Sequence, residues 1–211
     1  ECVTSGPTRE TIDPVSFISN RSTGKMGFAL AKNAMERGAD VTLVSGPVEL
    51  KDVPFVKMVH VESARQMFEA VTKEAETADI IVKAAAVADY RPAVVADEKI
   101  KKKDGDMSIA LERTDDIIGT LGKTKRDNLF LCGFSMETEH MLENSKAKLE
   151  KKNLDMIIAN NVKVKGAGFG TDTNVVTLIT KDEIKELPIM SKEDVADEIF
   201  NNILANRKGI V

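Results

Sequence analysis

The stretch ECVTSGPTRETIDPVSFISNRSTGKMGFALAKNAMERGADVTLVSGP, residues 1–47, decides the fold. Residues 1–5 read as a short strand, and a helix is expected from about Lys25 to Arg37, with Gly38 as its C-terminal cap. DVTLVSGP (40–47) is a β-branched run stopped by Gly46-Pro47. Residues 6–24 lie between the first strand and the helix, where most connections take roughly 2–6 residues. A loop of that length inside a compact domain is expected to be functional.

Working outward, FVKMVHV (55–61) is a further strand of an inner, largely buried sheet, and Ser63 with Gln66 makes a capping box for a helix to about Thr77. ADIIVKAAAVADY (78–90) is a buried strand emptying into a loop. Residues 91–106, with the cluster DEKIKKKDGD, read as irregular and exposed. MSIALER (107–113) alternates like a strand, and Thr114 is placed to cap a helix beginning DDIIGTL. NLFLCGFS (128–135) and DMIIANN (155–161) are strands flanking a charged helix from Glu137 to Lys152, which Asn153 ends. The loop 162–174 leads to a hairpin of VVTLIT (175–180) and IKELPIM (184–190), and Ser191 with Asp194 opens the last helix. This alternation implies an α/β fold: a Rossmann-like three-layer sandwich with a mainly parallel sheet and an antiparallel C-terminal edge hairpin. Residues 1–211 form one domain, and the start at Glu1, already in a strand, suggests a piece of a longer polypeptide. Ligands are expected at the carboxyl ends of the strands, after residues 5, 45, 86, 135 and 160.

Composition narrows the function. The formal charge is −4, the sequence pI is near 5.4 and aromatic residues are 4%, which disfavours polymeric nucleic acid but leaves room for a local anion site. No apolar run reaches the ~20 residues of a membrane helix. Two cysteines, Cys2 and Cys132, make neither a disulfide framework nor a four-ligand zinc site, so a reducing compartment, the cytoplasm by default, is expected.

STGKMG, with Gly24 and Gly27 around Lys25 at a helix start, suits an anion through backbone amides and the helix dipole. The plainer alternative is a Gly-rich helix start with a surface lysine. It is not a P-loop, since Ser19 and Met26 stand at required positions, nor a dinucleotide fingerprint, since the glycine spacing is absent and Ser45 stands near the acidic ribose position. Ala84, Ala85 and Ala86 let a ring or sugar approach the backbone, or simply pack a helix on the sheet. Tyr90 lacks a lysine four positions on, where Val94 stands. Lys99, Lys101, Lys102 and Lys103 are either a solvated face or a mobile loop that carries a lysine to phosphate. Lys148 and Lys152 share one helix face. His60 and His140 are the only imidazoles, and neither has a hydrolase signature around it. What remains is chemistry by positioning and charge neutralisation.

SGPTRETIDPVSFISNRSTGKMGFALA (5–31), AAAVADYRP (84–92), EKIKK (98–102), GF–ET (133–138), KKNLD (151–155) and GFGTDTN (168–174) closely resemble phosphopantothenoylcysteine synthetases of coenzyme A biosynthesis. The likeness is to the bacterial domain usually fused behind a flavin-dependent decarboxylase. That resemblance implies a CTP-dependent ligase: the carboxylate of 4′-phosphopantothenate becomes an acyl-cytidylate with loss of pyrophosphate, and the amine of cysteine then displaces CMP. It implies Mg²⁺, no flavin in this segment, and a homodimer with substrate near the subunit interface.

Carried over by motif, Asn20 holds the acyl group and stabilises the second-step oxyanion, while Lys99 reaches the triphosphate. Ala84, Ala85 and Ala86 line the nucleotide pocket, with Asp89 near the ribose or the metal. Phe134, Lys148 and Lys152 take other nucleotide-binding positions, and Gly24, Lys25 and Gly27 meet phosphate. Thr114, Asp115, Asp116 and Ile117 stand where bacterial relatives commonly read Asn-Pro-Asp-Ile, and Ser135-Met136 replaces two alanines. A nicotinamide-dependent Rossmann oxidoreductase and a non-catalytic nucleotide-binding module are the competing readings.

Overall fold

The computed structural model describes residues 1–102, 104–136, 141–160 and 170–207. Its central sheet takes β1 (Cys2–Ser5), β4 (Thr42–Ser45), β5 (Lys57–His60), β6 (Ile80–Lys83), β9 (Phe130–Met136), β10 (Met156–Asn160), β12 (Val176–Thr180) and β13 (Ile184–Glu186), in the order β13-β12-β10-β9-β6-β1-β4-β5. All neighbours run parallel except β10–β12 and β12–β13, which form the expected antiparallel edge. The period-2 alternation of strand side chains builds two cores. Val3, Leu43 and Val82 face one side with α1 (Lys25–Glu36) and α5 (Lys192–Asn206). Cys2, Val44 and Ile81 face the other, under α2 (Ala64–Ala75), α3 (Ile117–Lys123) and α4 (Met141–Lys151).

The remaining strands make three small antiparallel ribbons. β2 (Glu10–Thr11) pairs with β3 (Phe17–Ile18), β7 (Tyr90–Pro92) with β8 (Leu111–Arg113), and β11 (Thr173–Asn174) with β14 (Met190–Ser191). The first gives the long loop 6–24 its internal order. The capping box at Ser63 forms with both bonds, and the Ser191 hydroxyl accepts from the Asp194 N–H.

Three local expectations are corrected. Residues 57–60 are the sheet's outer strand rather than an inner one, with Lys57 and His60 exposed, because pairing beyond β5 is absent among the described residues. The strand expected over 107–113 shrinks to Leu111–Arg113 and lies outside the main sheet. The cap of α3 is Asp116, whose carboxylate accepts from the Gly119 N–H, whereas the Thr114 hydroxyl donates to the Ala88 carbonyl at 2.6 Å. Expectations for Lys103, for residues 137–140 with His140, and for 161–169 fall outside the described residues. No helix among those described is long and apolar enough to cross a membrane.

β1 leads to β4 and β5 on one side, while β6, its other neighbour, leads to β9 and β10. The chain therefore reverses direction across the sheet between β1 and β6, and the loops leaving them bound a crevice at their carboxyl ends. These are the loops 6–24 and 84–89.

Candidate functional site

The crevice holds two adjoining clefts. The first, of about 370 Å³, runs from Asn20 and the start of α1 along Ala84, Ala85 and Ala86 to Asn160, Asn174 and Lys192. The second, of about 380 Å³, lies between Thr114–Ile118, Gly133, Lys148 of α4 and Lys152 just past its end. Lys83, Val87, Asp89 and Phe134 line both, so one wall is common to the two.

Backbone geometry prepares the first cleft. Gly24 caps α1 at φ 79°, a left-handed conformation open to glycine, and the Ser5 hydroxyl donates to its carbonyl at 2.7 Å. The Ala85 and Ala86 N–H groups donate to Thr4 Oγ1 and the Gly6 carbonyl, which fixes the strand exit against β1. Asn20 Nδ2 donates to the Ala86 carbonyl at 2.6 Å, and its Oδ1 accepts from the Ser22 N–H at 3.0 Å. One amide hydrogen of Asn20 is thus engaged and its orientation set. Thr8 Oγ1 and Thr114 Oγ1 hold Ala88 from both sides, steadying the loop that carries Asp89. Lys25 lines the cleft, but its ammonium is paired with Asp172 at 2.7 Å.

The second cleft is a charged recess. Lys152 pairs with Asp116 at 2.9 Å. Burial opposes the ionised form of Asp116, yet the Lys152 ammonium and the Gly119 N–H outweigh it and hold the carboxyl below the usual range. Arg113, Asp115, Ile117 and Lys148 also line it.

The structure therefore brings together Asn20, Gly24, Lys25, Gly27, Ala84, Ala85, Ala86, Asp89 and Phe134 in one cleft, and Thr114, Asp115, Asp116, Ile117, Lys148 and Lys152 in the other. Lys99 joins neither: it is exposed, on the loop after β7. That loop is tied down by Asp13, buried at 3% exposure, which accepts from Ile100 N–H at 3.0 Å and from Val15 and Ser16 N–H at 2.8 and 2.7 Å. Sequence reading missed Lys83, Lys192, Asn160 and Asn174. Lys83 and Asn160 end the apolar runs IIVK and MIIAN, a signal shared by many surface residues, whereas Asn174 and Lys192 carry none.

Asp13 yields a pH prediction. The Ile100 N–H, then that of Val15, holds its carboxyl below the ordinary value. The folded state then binds fewer protons than the unfolded one near that value. The anchoring is complete above the ordinary carboxylate pKa and is lost as pH falls through the lower folded one. Asp13→Asn should speed hydrogen exchange at Ile100 about tenfold at pH 7 and abolish its acid dependence. Wild-type protection in the variant would rule out the anchor.

Over residues 2–206 the chain matches the family model described as DNA/pantothenate metabolism flavoprotein C-terminal domain. It is 52% identical over 209 residues to the coenzyme A biosynthesis bifunctional protein CoaBC of Bacillus subtilis (strain 168), covering 98% of this chain and 51% of that protein. The chain spans about half the length of the curated CoaBC relatives it matches. A crystal structure of a CoaBC C-terminal domain superposes with a TM-score of 0.82 at 48% identity, over 97% of this chain and 94% of that one. Cab2 in complex with phosphopantothenate-cysteine shares the fold at a TM-score of 0.78 and 16% identity, over 97% of this chain and 86% of that one.

Proposed function

The chain belongs to the DNA/pantothenate metabolism flavoprotein C-terminal domain family, and from that membership we propose that it is a phosphopantothenoylcysteine synthetase. It joins 4′-phosphopantothenate to cysteine at the expense of CTP, as the synthetase part of a longer protein that also carries a decarboxylase domain. The observation that carries this reading is the common wall of the two clefts. A lysine-lined recess for a triphosphate adjoins a small-residue channel that ends at Asn20, so nucleotide and acyl chain meet at Lys83, Asp89 and Phe134.

The reaction asks little of protein nucleophiles. A carboxylate oxygen attacks the α-phosphorus and pyrophosphate leaves with the bonding pair. The amine then attacks the acyl carbon and CMP leaves. Lys148 and Lys152 neutralise phosphate charge, and the free N–H of Asn20 meets the developing oxyanion. Among the described residues no cluster of three His, Cys, Asp or Glu could cage a cation. This suits Mg²⁺ held chiefly by the triphosphate with Asp89 beside it, where the ion would supply further phosphate neutralisation.

Exposed Val15, Phe17, Val94, Val95 and Ile100 lie on two segments joined by the Ala96 N–H to Ile12 carbonyl bond. This apolar surface suits the homodimer that the resemblance implies, with the loop 6–24 near the interface.

Pyrophosphate release measured with phosphopantothenate and either CTP or ATP tests the reading. Release should require the acid and favour CTP. No release with either nucleotide, together with thermal stabilisation by NAD(P) and not by CTP–Mg²⁺, would overturn it in favour of an oxidoreductase. Lys99→Gln should slow single-turnover release about tenfold, because the loop, once released from its Asp13 anchor, delivers its charge to the triphosphate. An unchanged rate would remove Lys99 from the mechanism.

A further inference from the structure

Lys83 ends β6 at the crevice and lines both clefts. Other cations around it have partners. Lys152 is paired with Asp116, Lys25 with Asp172, and Lys192 donates to the Thr171 and Thr173 carbonyls. Lys83 alone of these four makes no hydrogen bond or ion pair among the described residues. Lys83 is half-buried, and only the longer-range attraction of Asp89 and Asp116 offsets the water its ammonium loses. An anionic group at the common wall would supply the missing partner.

We propose that Lys83 contacts the reacting phosphate: its ammonium meets the α-phosphate that the acyl-nucleotide shares between the two clefts. This rests on the synthetase reading and adds to it a residue that none of the matched motifs contains. A group joined covalently to the nucleotide in one cleft and to the acyl chain in the other must lie where the clefts meet. In the first step the carboxylate O–P bond forms, the bond to the β-phosphate oxygen breaks, and pyrophosphate leaves with the electron pair. Lys83 stays protonated and offsets charge on the α-phosphate oxygens. In the second step the N–C bond forms, the C–O bond to the α-phosphate breaks, and the surplus amine proton goes to solvent. Lys83 again neutralises the phosphate that departs on CMP.

The groups facing Lys83 are Asp89 from its own loop, Asp116 at the start of α3, Lys148 from α4 and Lys152 from the turn after it. Desolvation, then repulsion by Lys152, brings its pKa down to about 8, against the attraction of Asp89 and Asp116. The contact therefore weakens on the alkaline side of neutrality, where an ordinary lysine stays charged.

Single-turnover pyrophosphate release from CTP and phosphopantothenate, followed between pH 6.5 and 9.5, tests the assignment. At subsaturating CTP, where ionisation of the free protein governs the rate, the wild-type rate should fall above about pH 8. Lys83→Gln, or Lys83→Met with its similar length, should be about tenfold slower at pH 7 and lose that fall, while Lys83→Arg should keep the rate through pH 9. A folded Gln or Met variant with the wild-type rate, or an Arg variant that retains the alkaline fall, would overturn the contact. A wild-type chain that releases no pyrophosphate at any pH would overturn the synthetase reading, and this contact with it.

Discussion

Gly27→Ala is expected to lower the midpoint of thermal unfolding by about 6–12 °C. A Cβ there would stand 2.4 Å from Ser5 Cβ, 2.5 Å from Ser5 Oγ and 2.8 Å from the Thr4 carbonyl oxygen. None of these can yield cheaply: Thr4 and Ser5 are buried in β1, and the Ser5 hydroxyl is committed to the Gly24 carbonyl. Pushing α1 off β1 should cost about 3 kcal/mol, the upper part of the usual range for an overpacked core. In a chain of this size each kcal/mol moves the midpoint by about 2–4 °C. Circular dichroism checks the effect, and a shift below about 2 °C would mean that α1 sits more loosely than described. The same displacement moves the amino end of α1 at the first cleft, so affinity for the phosphopantothenate proposed to lie there should fall with stability. Gly27 therefore belongs to the site through packing: its missing side chain is taken up by Ser5.

Asn20→Asp should reduce cysteine transfer at least about a hundredfold in the proposed reaction while slowing pyrophosphate release much less. Removing a single oxyanion donor costs on the order of 10²–10³ in rate. This substitution also sets a negative charge where the oxyanion develops. The carboxylate would face the Ala86 carbonyl, to which Asn20 Nδ2 now donates at 2.6 Å, so some loosening of the loop is expected as well. Trapping the activated acid with hydroxylamine and comparing it with product formed from cysteine separates the half-reactions. Equal losses in both would contradict the assignment.

Asn20 shows how the site could be read before the fold was in view. The loop 6–24 is too long for a plain strand-to-helix connection, and AAAVAD leaves a strand with no side chain large enough to block an approach. Two such exits at the carboxyl ends of parallel strands point to one crevice, and the structure brings both there. Lys83 was invisible for the opposite reason. It closes an apolar run, and its meaning depends on Asp116, Lys148 and Lys152 at the start of α3 and the end of α4, which surround it from far along the chain. Thr114 misled because a threonine before Asp-Asp-Ile-Ile suits a cap. Its hydroxyl found the Ala88 carbonyl, and Asp116, two residues on, took the cap.

Local chemistry was enough for most of the main elements: β-branched and apolar runs wrote the strands of the central sheet, Ser63 and Ser191 opened their helices, and Gly38 closed α1. These signals act within a few residues and survive in any context. Pairing decided the rest. Which strand lies at the rim depends on neighbours distant in sequence, so FVKMVHV became an exposed edge, and Tyr90–Pro92 took Leu111–Arg113 as its partner. The division of the crevice into two clefts with a charged wall between them follows from the same long-range contacts. Lys25 and Lys152 take partners there, Asp172 and Asp116, that only folding brings within reach.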